Sequence, residues 1–390
     1  MYLLFTHKCI HKYDIFVLLF PTLLNAHFLT SAGLSHWKYV VNDVFLLAMD
    51  TNRTLVEPCI KDGHLFPCMH LMANETLTLS TIIDMSEIKK RYGQDFKMIP
   101  WSEYQTKYMP TQVSIMCYKK DSRNFDQAGL DLDNTIVKPV SSEGNDRSYE
   151  DCVRTAKNFG NSVFLHSPAK EETLRRGVAM QMSMPWKYAP FQHTIATRIM
   201  KDAKIDLDKY FVFNWRMEGV TKKRILPCAK MLIAMSEEWL ERMEGDRLNA
   251  ILVTDLSFDK KDAKWGDMTD PFNIGIQGNA TKILNENFFK IETSNAVKST
   301  IKQFPRYRDP IFLTIWEIII SEKALLFVSC SKKNEVCDYC QTIKSKFSED
   351  IIRSRTFQRL NSYESWAMNE YTKTKPVEIA PYLAAEAPTR

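Results

Sequence analysis

Tyr210-Phe-Val-Phe-Asn-Trp215 decides the fold. Its aromatic and β-branched side chains, interrupted by a single amide, predict a buried strand. Outward from it, apolar spacing predicts a helix over Ala229–Met243 that ends at Gly245. Ala250–Val253 reads as the next buried strand, with Asp255 just past its carboxyl end. Pro310–Ala324 is strongly apolar and helical in pattern, and Leu325–Val328 follows as a strand. Strands alternating with helices of this length predict right-handed parallel β-α-β units. Arg216 leaves the first strand directly. It either enters a ligand crevice, where its planar fork can hold a diphosphate through two parallel hydrogen bonds, or pairs with a carboxylate at the strand end.

The first half repeats the theme less plainly. Val40, Val41, Val44, Phe45, Leu47 and Ala48 give helical spacing over Trp37–Met49, and Thr54-Leu-Val56 is a short strand closed by Pro58. Met85–Tyr92 predicts a second helix, and Gln94–Ile99 a strand closed by Pro100. Residues 119–150 are polar, with Gly129, Pro139, Ser141, Ser142 and Gly144, and read as an exposed loop or insertion. The two sets of elements predict two Rossmann-like halves, and ligands of such folds bind at the carboxyl ends of the strands. A chain of 390 residues suits two to three domains at roughly 150 residues each. Being 45% hydrophobic and 25% charged, it is not a disordered or low-complexity chain. The charge balance of 52 − 47 = +5, with no long basic block, does not suggest a nucleic-acid binder. It is compatible with a small anionic ligand.

His7, Lys8, His11 and Lys12 precede the apolar run Ile15–Leu24, which Pro21 interrupts and Asn25 and Ala26 follow. This order resembles a signal peptide or anchor over residues 1–26; the alternative is that Ile15–Phe20 is a buried first strand. Asn52-Arg-Thr54, Asn74-Glu-Thr76 and Asn279-Ala-Thr281 satisfy the N-glycosylation pattern. With nine cysteines they tilt the expected location toward the secretory pathway, in the endoplasmic reticulum or Golgi lumen. No second segment is long enough to span a bilayer, so membrane contact is expected only through an N-terminal anchor.

Several familiar signatures are missing: Gly-x-Gly-x-x-Gly, a Gly-Lys-Ser/Thr phosphate loop, a Gly-x-Ser-x-Gly elbow and His-Glu-x-x-His. Metal-dependent glycosyl transfer needs paired aspartates just after an apolar strand. Asp131-Leu-Asp133 lies in polar sequence and Asp206-Leu-Asp208 precedes its strand, so both read as solvated loops. Cys337-Asp-Tyr-Cys340 has redox or half-zinc spacing without a second pair, and reads as a local loop feature. Cys59, His64, Cys68 and His70 match no common zinc module, and a Cys59–Cys68 disulfide is the favoured reading in a secretory location.

In this order the residues resemble the GDP-fucose protein O-fucosyltransferase family, from about Thr30 to Arg355. Ala32-Gly-Leu-Ser-His36, a helix and Leu47-Ala-Met-Asp-Thr-Asn-Arg-Thr-Leu-Val56 resemble its glycine loop, helix and Asn-Arg-Thr-Leu-Val strand. Asp84–Tyr92 with Ile99-Pro-Trp-Ser-Glu-Tyr104 is similar to a helix and strand leading to the acceptor side. Phe211–Arg216 matches an apolar strand ending His-x-Arg. Ile315-Trp-Glu317, Lys323-Ala324, Phe327-Val328, Ser345-Lys-Phe-Ser348 and Arg355 match an acidic helix, a strand, Ser-Ser-Phe-Ser and a downstream arginine.

The resemblance implies an α/β fold of glycosyltransferase B type, with two Rossmann-like domains facing a cleft. It implies an N-terminal domain over 27–195 with the glycine loop and acceptor side, a GDP-fucose-binding domain over 196–372, and a tail over 373–390. It further implies inverting, metal-independent transfer of fucose from GDP-fucose to Ser or Thr hydroxyls of a protein, with no cofactor. Disulfide-rich repeats are among the family's acceptors. By position, Arg216 would hold the β-phosphate and glycosidic oxygen as the catalytic residue. Glu317 would accept from the guanine N1–H and 2-amino group. Ser345, Lys346, Phe347 and Ser348 would contact phosphate and guanosine. Gly33, Leu34, Ser35 and His36 would form the loop that approaches the donor, with Asn214 and Asp255 completing the site. Three positions depart from the pattern: Asn214 replaces the histidine, His36 replaces the loop asparagine, and Lys346 replaces a serine. The alternative reading is a catalytically degenerate member that binds a nucleotide or a protein.

Overall fold

The structure, a computed structural model, describes residues 23–27, 34–61, 64–66, 77–93, 96–107, 113–116, 135–137, 162–166, 185–215, 222–242, 249–254, 271–291, 294–308, 310–329, 333–334, 338–339, 346–357 and 362–363. It divides into two compact units, residues 1–189 with 308–311, and residues 190–307 with 312–390. Among the described residues no helix is long and apolar enough to cross a membrane.

In the first unit the strands are, in chain order, β1 (Leu23–His27), β2 (Thr54–Val56), β3 (Cys59–Lys61), β4 (His64–Phe66), β5 (Leu77–Thr78), β6 (Met98–Ile99), β7 (Val113–Met116), β8 (Thr135–Val137) and β9 (Ser162–His166). Six of them form one sheet in the order β6-β2-β1-β9-β7-β8, with every pairing parallel. β4, β3 and β5 form a small antiparallel sheet. β8 adds a short strand within 119–150, the segment read as an exposed loop or insertion. Thr135, Ile136 and Val137 are all β-branched, and this suits them to an edge strand despite their polar surroundings. β1 takes up the end of the N-terminal apolar run and includes Asn25 and Ala26, while Ile15–Phe20 lie outside the described residues.

The helix Leu34–Asp50 starts three residues before the expected one, so Leu34, Ser35 and His36 form its first turn rather than a loop. It buries Val41, Val44, Phe45, Leu47 and Ala48. Phe45 packs on Phe96 at 4.8 Å and Tyr92 at 5.4 Å between ring centres. Buried Asn42 is satisfied by two donors, Tyr92 Oη at 2.8 Å and Trp186 Nε1 at 3.0 Å. Asn52 then turns the chain through a left-handed conformation (φ 50°), which asparagine tolerates better than most residues. Arg53 is buried behind it, and β2 begins. The helix Met85–Tyr92 has the bounds read from the sequence, with Asp84 capping its start and Gly93 (φ 77°) ending it. Of the expected strand Gln94–Ile99, Met98–Ile99 form β6 while Gln94 and Asp95 lie outside the described residues, and Trp101–Lys107 is a helix.

The second unit holds β10 (Phe211–Trp215), β11 (Ala250–Thr254), β12 (Leu326–Ser329), a hairpin of β13 (Lys333–Asn334) and β14 (Asp338–Tyr339), and β15 (Ser362–Tyr363). Its main sheet runs β11-β10-β12-β15, again all parallel. Side chains alternate across a strand. Phe211, Phe213 and Trp215 thus share one face and join the core formed with the helix Lys222–Arg242. Trp239 from that helix stacks on Phe213 at 5.3 Å and meets Phe211 edge-on at 5.9 Å. The helix starts seven residues before the expected Ala229, and exposed Pro227 lies inside it. Val212 and Asn214 belong to the opposite face of the strand. The apolar helix Pro310–Lys323 buries Phe312, Ile315 and Trp316, and the Trp316 indole donates to Gln192 Oε1 at 2.9 Å.

Candidate functional site

The parallel register places Asn214 beside Val253 on one side and Ser329 on the other, so three strands end together. The helix Lys346–Phe357 delivers Ser348 to this point, and its hydroxyl donates to Asn214 Oδ1 at 3.5 Å. Both residues are buried, Asn214 to 6% exposure and Ser348 to 5%. Lys346 opens that helix and half-buried Phe347 follows. The first turn of a helix carries unpaired N–H groups and the positive end of its dipole. An amide, a hydroxyl and a helix start brought together at strand ends form a donor-rich corner, chemically suited to an anionic oxygen.

The other end of the same helix is closed off. Arg355 is fully buried. Its Nη1 donates to the carbonyls of Ser321 and Glu322 at 3.1 Å and of Ala324 at 2.5 Å, and its Nη2 donates to Leu325 at 3.3 Å. These acceptors include the orphan carbonyls at the end of the helix Pro310–Lys323, so Arg355 serves as its cap. Burial pulls its pKa down to about 10, and it stays charged at neutral pH. Tyr210, at the start of β10, donates to Ile320 O at 2.8 Å nearby, and burial pushes its phenol up.

Of the residues expected to bind a donor, Asn214 and Ser348 are brought together, and Phe347 and Lys346 adjoin Ser348 on the helix. Glu317 is half-buried on the helix Pro310–Lys323 of the same unit. Leu34, Ser35 and His36 belong to the first unit. Gly33, Arg216, Asp255 and Ser345 lie outside the described residues. Asp206 and Asp208 occupy an exposed turn in which the Asp208 amide donates to Asp206 Oδ1, as a solvated loop requires. Among the described residues no cluster of His, Cys, Asp or Glu could hold a metal ion. Cys59 is disulfide-bonded and its register partner in the β3–β4 hairpin is Phe66, two residues before Cys68. Cys68, His70, Asp131, Asp133, Cys337, Cys340 and the sequon residue Asn74 lie outside the described residues. Cys228 is also disulfide-bonded. Asn52 and Asn279 are exposed.

The architecture is an α/β fold with parallel sheets, and in the second unit three strands end at a polar corner. Among solved structures, the chain is similar to POFUT1 in complex with GDP, with a TM-score of 0.50 at 12% identity over 88% of this chain and 98% of that one. POFUT1 in complex with GDP-fucose gives a TM-score of 0.48 at 11% identity with the same coverage. At this identity the likeness is a distant relationship of fold. No protein-family model matches the chain, and no curated protein matches it.

Proposed function

We propose that the protein transfers fucose from GDP-fucose to Ser or Thr hydroxyls of a protein acceptor. The observation that carries this reading is the buried Asn214–Ser348 pair at the strand ends of a fold distantly shared with POFUT1, a protein solved with GDP. The order of motifs from Gly33 to Arg355 supports the sugar assignment. In the proposed reaction the acceptor oxygen attacks the fucose anomeric carbon as its bond to the β-phosphate oxygen breaks. GDP leaves with the bonding electrons, the hydroxyl proton passes to a base or to water, and the configuration inverts. Arg216 is assigned to the developing charge on the β-phosphate, and Glu317 to the guanine edge. Gly33, Leu34, Ser35, His36, Asp255, Ser345, Lys346 and Phe347 are assigned to the donor, in a glycosyltransferase B arrangement without a catalytic metal or cofactor. A folded, disulfide-rich repeat is the proposed acceptor.

The test is GDP release from GDP-fucose by the full chain, with and without folded acceptor domains and with a chelator. Acceptor-dependent release that survives chelation is the expected result. GDP binding without turnover against any acceptor would instead favour the degenerate binding module, a reading supported by Asn214 in place of a titrating histidine.

The lumen of the endoplasmic reticulum or Golgi is the proposed location, supported by the disulfide-bonded Cys59 and Cys228 and by exposed sequon residues Asn52 and Asn279. Glycosidase-sensitive mass on the protein from secretory cells is the expected result. An unglycosylated, reduced protein would sink this assignment.

A further inference from the structure

The second unit holds a cavity of about 650 Å³ whose lining includes neither Asn214 nor Ser348. Its walls are the ends of the helices Pro190–Asp202 and Pro271–Asn287, residues 288–290, and the start of the helix Asn295–Gln303. The walls are tied down. Phe289 runs parallel beside the start of β11, its amide donating to Ala250 O at 2.8 Å and its carbonyl accepting from the Leu252 amide at 3.0 Å. Asn287 Nδ2 donates to Ile283 O at 2.7 Å, and Ser294 Oγ accepts from the Val297 amide at 3.1 Å. Pockets for small ligands are usually formed in advance and measure roughly 300–1,000 Å³.

The lining selects the class of ligand. Lys290 is buried to 5% exposure, so a cation would meet an amine held out of water. Asp202 and Glu286 are exposed, so an anion would meet carboxylates on its way in. Asp202 also pairs with Arg198 at 3.5 Å, which brings the charges around the cavity close to balance. Exposed Asn285 and Asn295 each bring a carboxamide, which both donates and accepts, as a hydroxyl does. Half-buried Phe289 adds apolar surface among them. Paired donors and acceptors beside an apolar patch suit a ligand rich in hydroxyls with C–H faces between them.

We propose that this cavity is a second binding site, separate from the nucleotide corner, for a neutral carbohydrate of one or two sugar units. Saturation-transfer NMR and calorimetry on the full chain test it with maltose, lactose and chitobiose, and with glucuronate and inorganic phosphate as charged controls. At least one neutral disaccharide should bind. Asn285→Ala and Asn295→Ala should each weaken it about fivefold, the loss of roughly one hydrogen bond. Both side chains are exposed, so thermal melting should not change. Affinity for GDP, glucuronate and phosphate should be the same in both variants as in wild type, and GDP-fucose should not displace the disaccharide. Binding of none of the three disaccharides, or of one that both variants hold as tightly as wild type, would overturn the proposal. So would losses confined to glucuronate or phosphate, which would make the cavity an anion site, or displacement by GDP-fucose, which would put the sugar in the nucleotide site. A chain that binds a disaccharide in this way but no GDP would overturn the nucleotide reading alone.

Discussion

The two ends of the helix Lys346–Phe357 differ in how completely their polar groups are used. At the last turn Arg355 donates to four backbone carbonyls and has no access to solvent. At the first turn Ser348 makes one long bond, to Asn214 at the end of β10. A terminus whose groups are all engaged serves the fold. A helix start carries unpaired N–H groups by construction, and there an anionic ligand can be recognised without dismantling anything. The same helix thus carries a structural clamp and a candidate site about two turns apart.

The largest expected effect is on activity. Arg216→Ala should slow transfer by about 3–4 kcal/mol in barrier, a hundred- to thousandfold, with melting unchanged. Wild-type turnover in this variant would remove Arg216 from the mechanism and leave the site without its assigned cation.

At the closed end the effect should fall on stability instead. Arg355→Met keeps the volume and strips the carbonyls of their donor, at a cost of about 3 kcal/mol in unfolding free energy. Urea titration followed by circular dichroism measures it. If Arg355→Met were as stable as wild type but had lost GDP, the assignment of the two ends would be reversed.

These roles were unequally legible in the sequence. Tyr210–Trp215 was readable as a buried strand because nearly every side chain in it favours the same answer. Met85–Tyr92 was readable to the residue because Asp84 and Gly93 punctuate it. The start of the helix at Lys222 was not, since a proline such as Pro227 ordinarily ends or kinks a helix. Leu34–His36 reads as a loop because Gly33 precedes it, yet the helix takes them in. The site suffers from distance along the chain. Asn214 and Ser348 could each be named, but they are 134 residues apart and nothing local announces that they touch. Arg355 reaches carbonyls about 30 positions earlier, and backbone acceptors leave no mark in a sequence at all.

A smaller effect probes what faces Asn214. Asn214→His places a titrating group at the end of β10. If a diphosphate lies there, the imidazolium form should bind GDP about tenfold tighter than the neutral form, or ~1.4 kcal/mol. The affinity ratio of variant to wild type should then rise as pH falls through about 6.5, with the nucleotide's own titration cancelling in the ratio. A ratio flat from pH 5.5 to about 7.5 would mean that residue 214 does not face an anion.

The smallest expected effect supplies a control, a helix start with no site attached. Asp84 caps Met85–Tyr92, accepting from the Ser86 hydroxyl at 2.6 Å and the Ser86 amide at 3.0 Å. The Ser86 hydroxyl bond is the main reason its carboxyl lies below the ordinary value; desolvation, the next influence in size, opposes it, and the backbone amides of Ser86 and Glu87 and the charge of Lys187 add to the lowering. The sign follows from linkage. A carboxyl depressed in the folded state adds stability that is fully present above its unfolded value of about 3.9, and is lost as pH falls through the depressed folded value. Asp84→Ala should therefore cost about 1 kcal/mol at neutral pH, typical of a lost cap, and its gap from wild type should narrow in acid below that value. Because this cap is complete and its helix carries no proposed ligand, the substitution should leave GDP affinity untouched. A change in GDP affinity would show that such variants act through general loosening of the fold. The contrast between an engaged terminus and an open one would then lose its functional meaning.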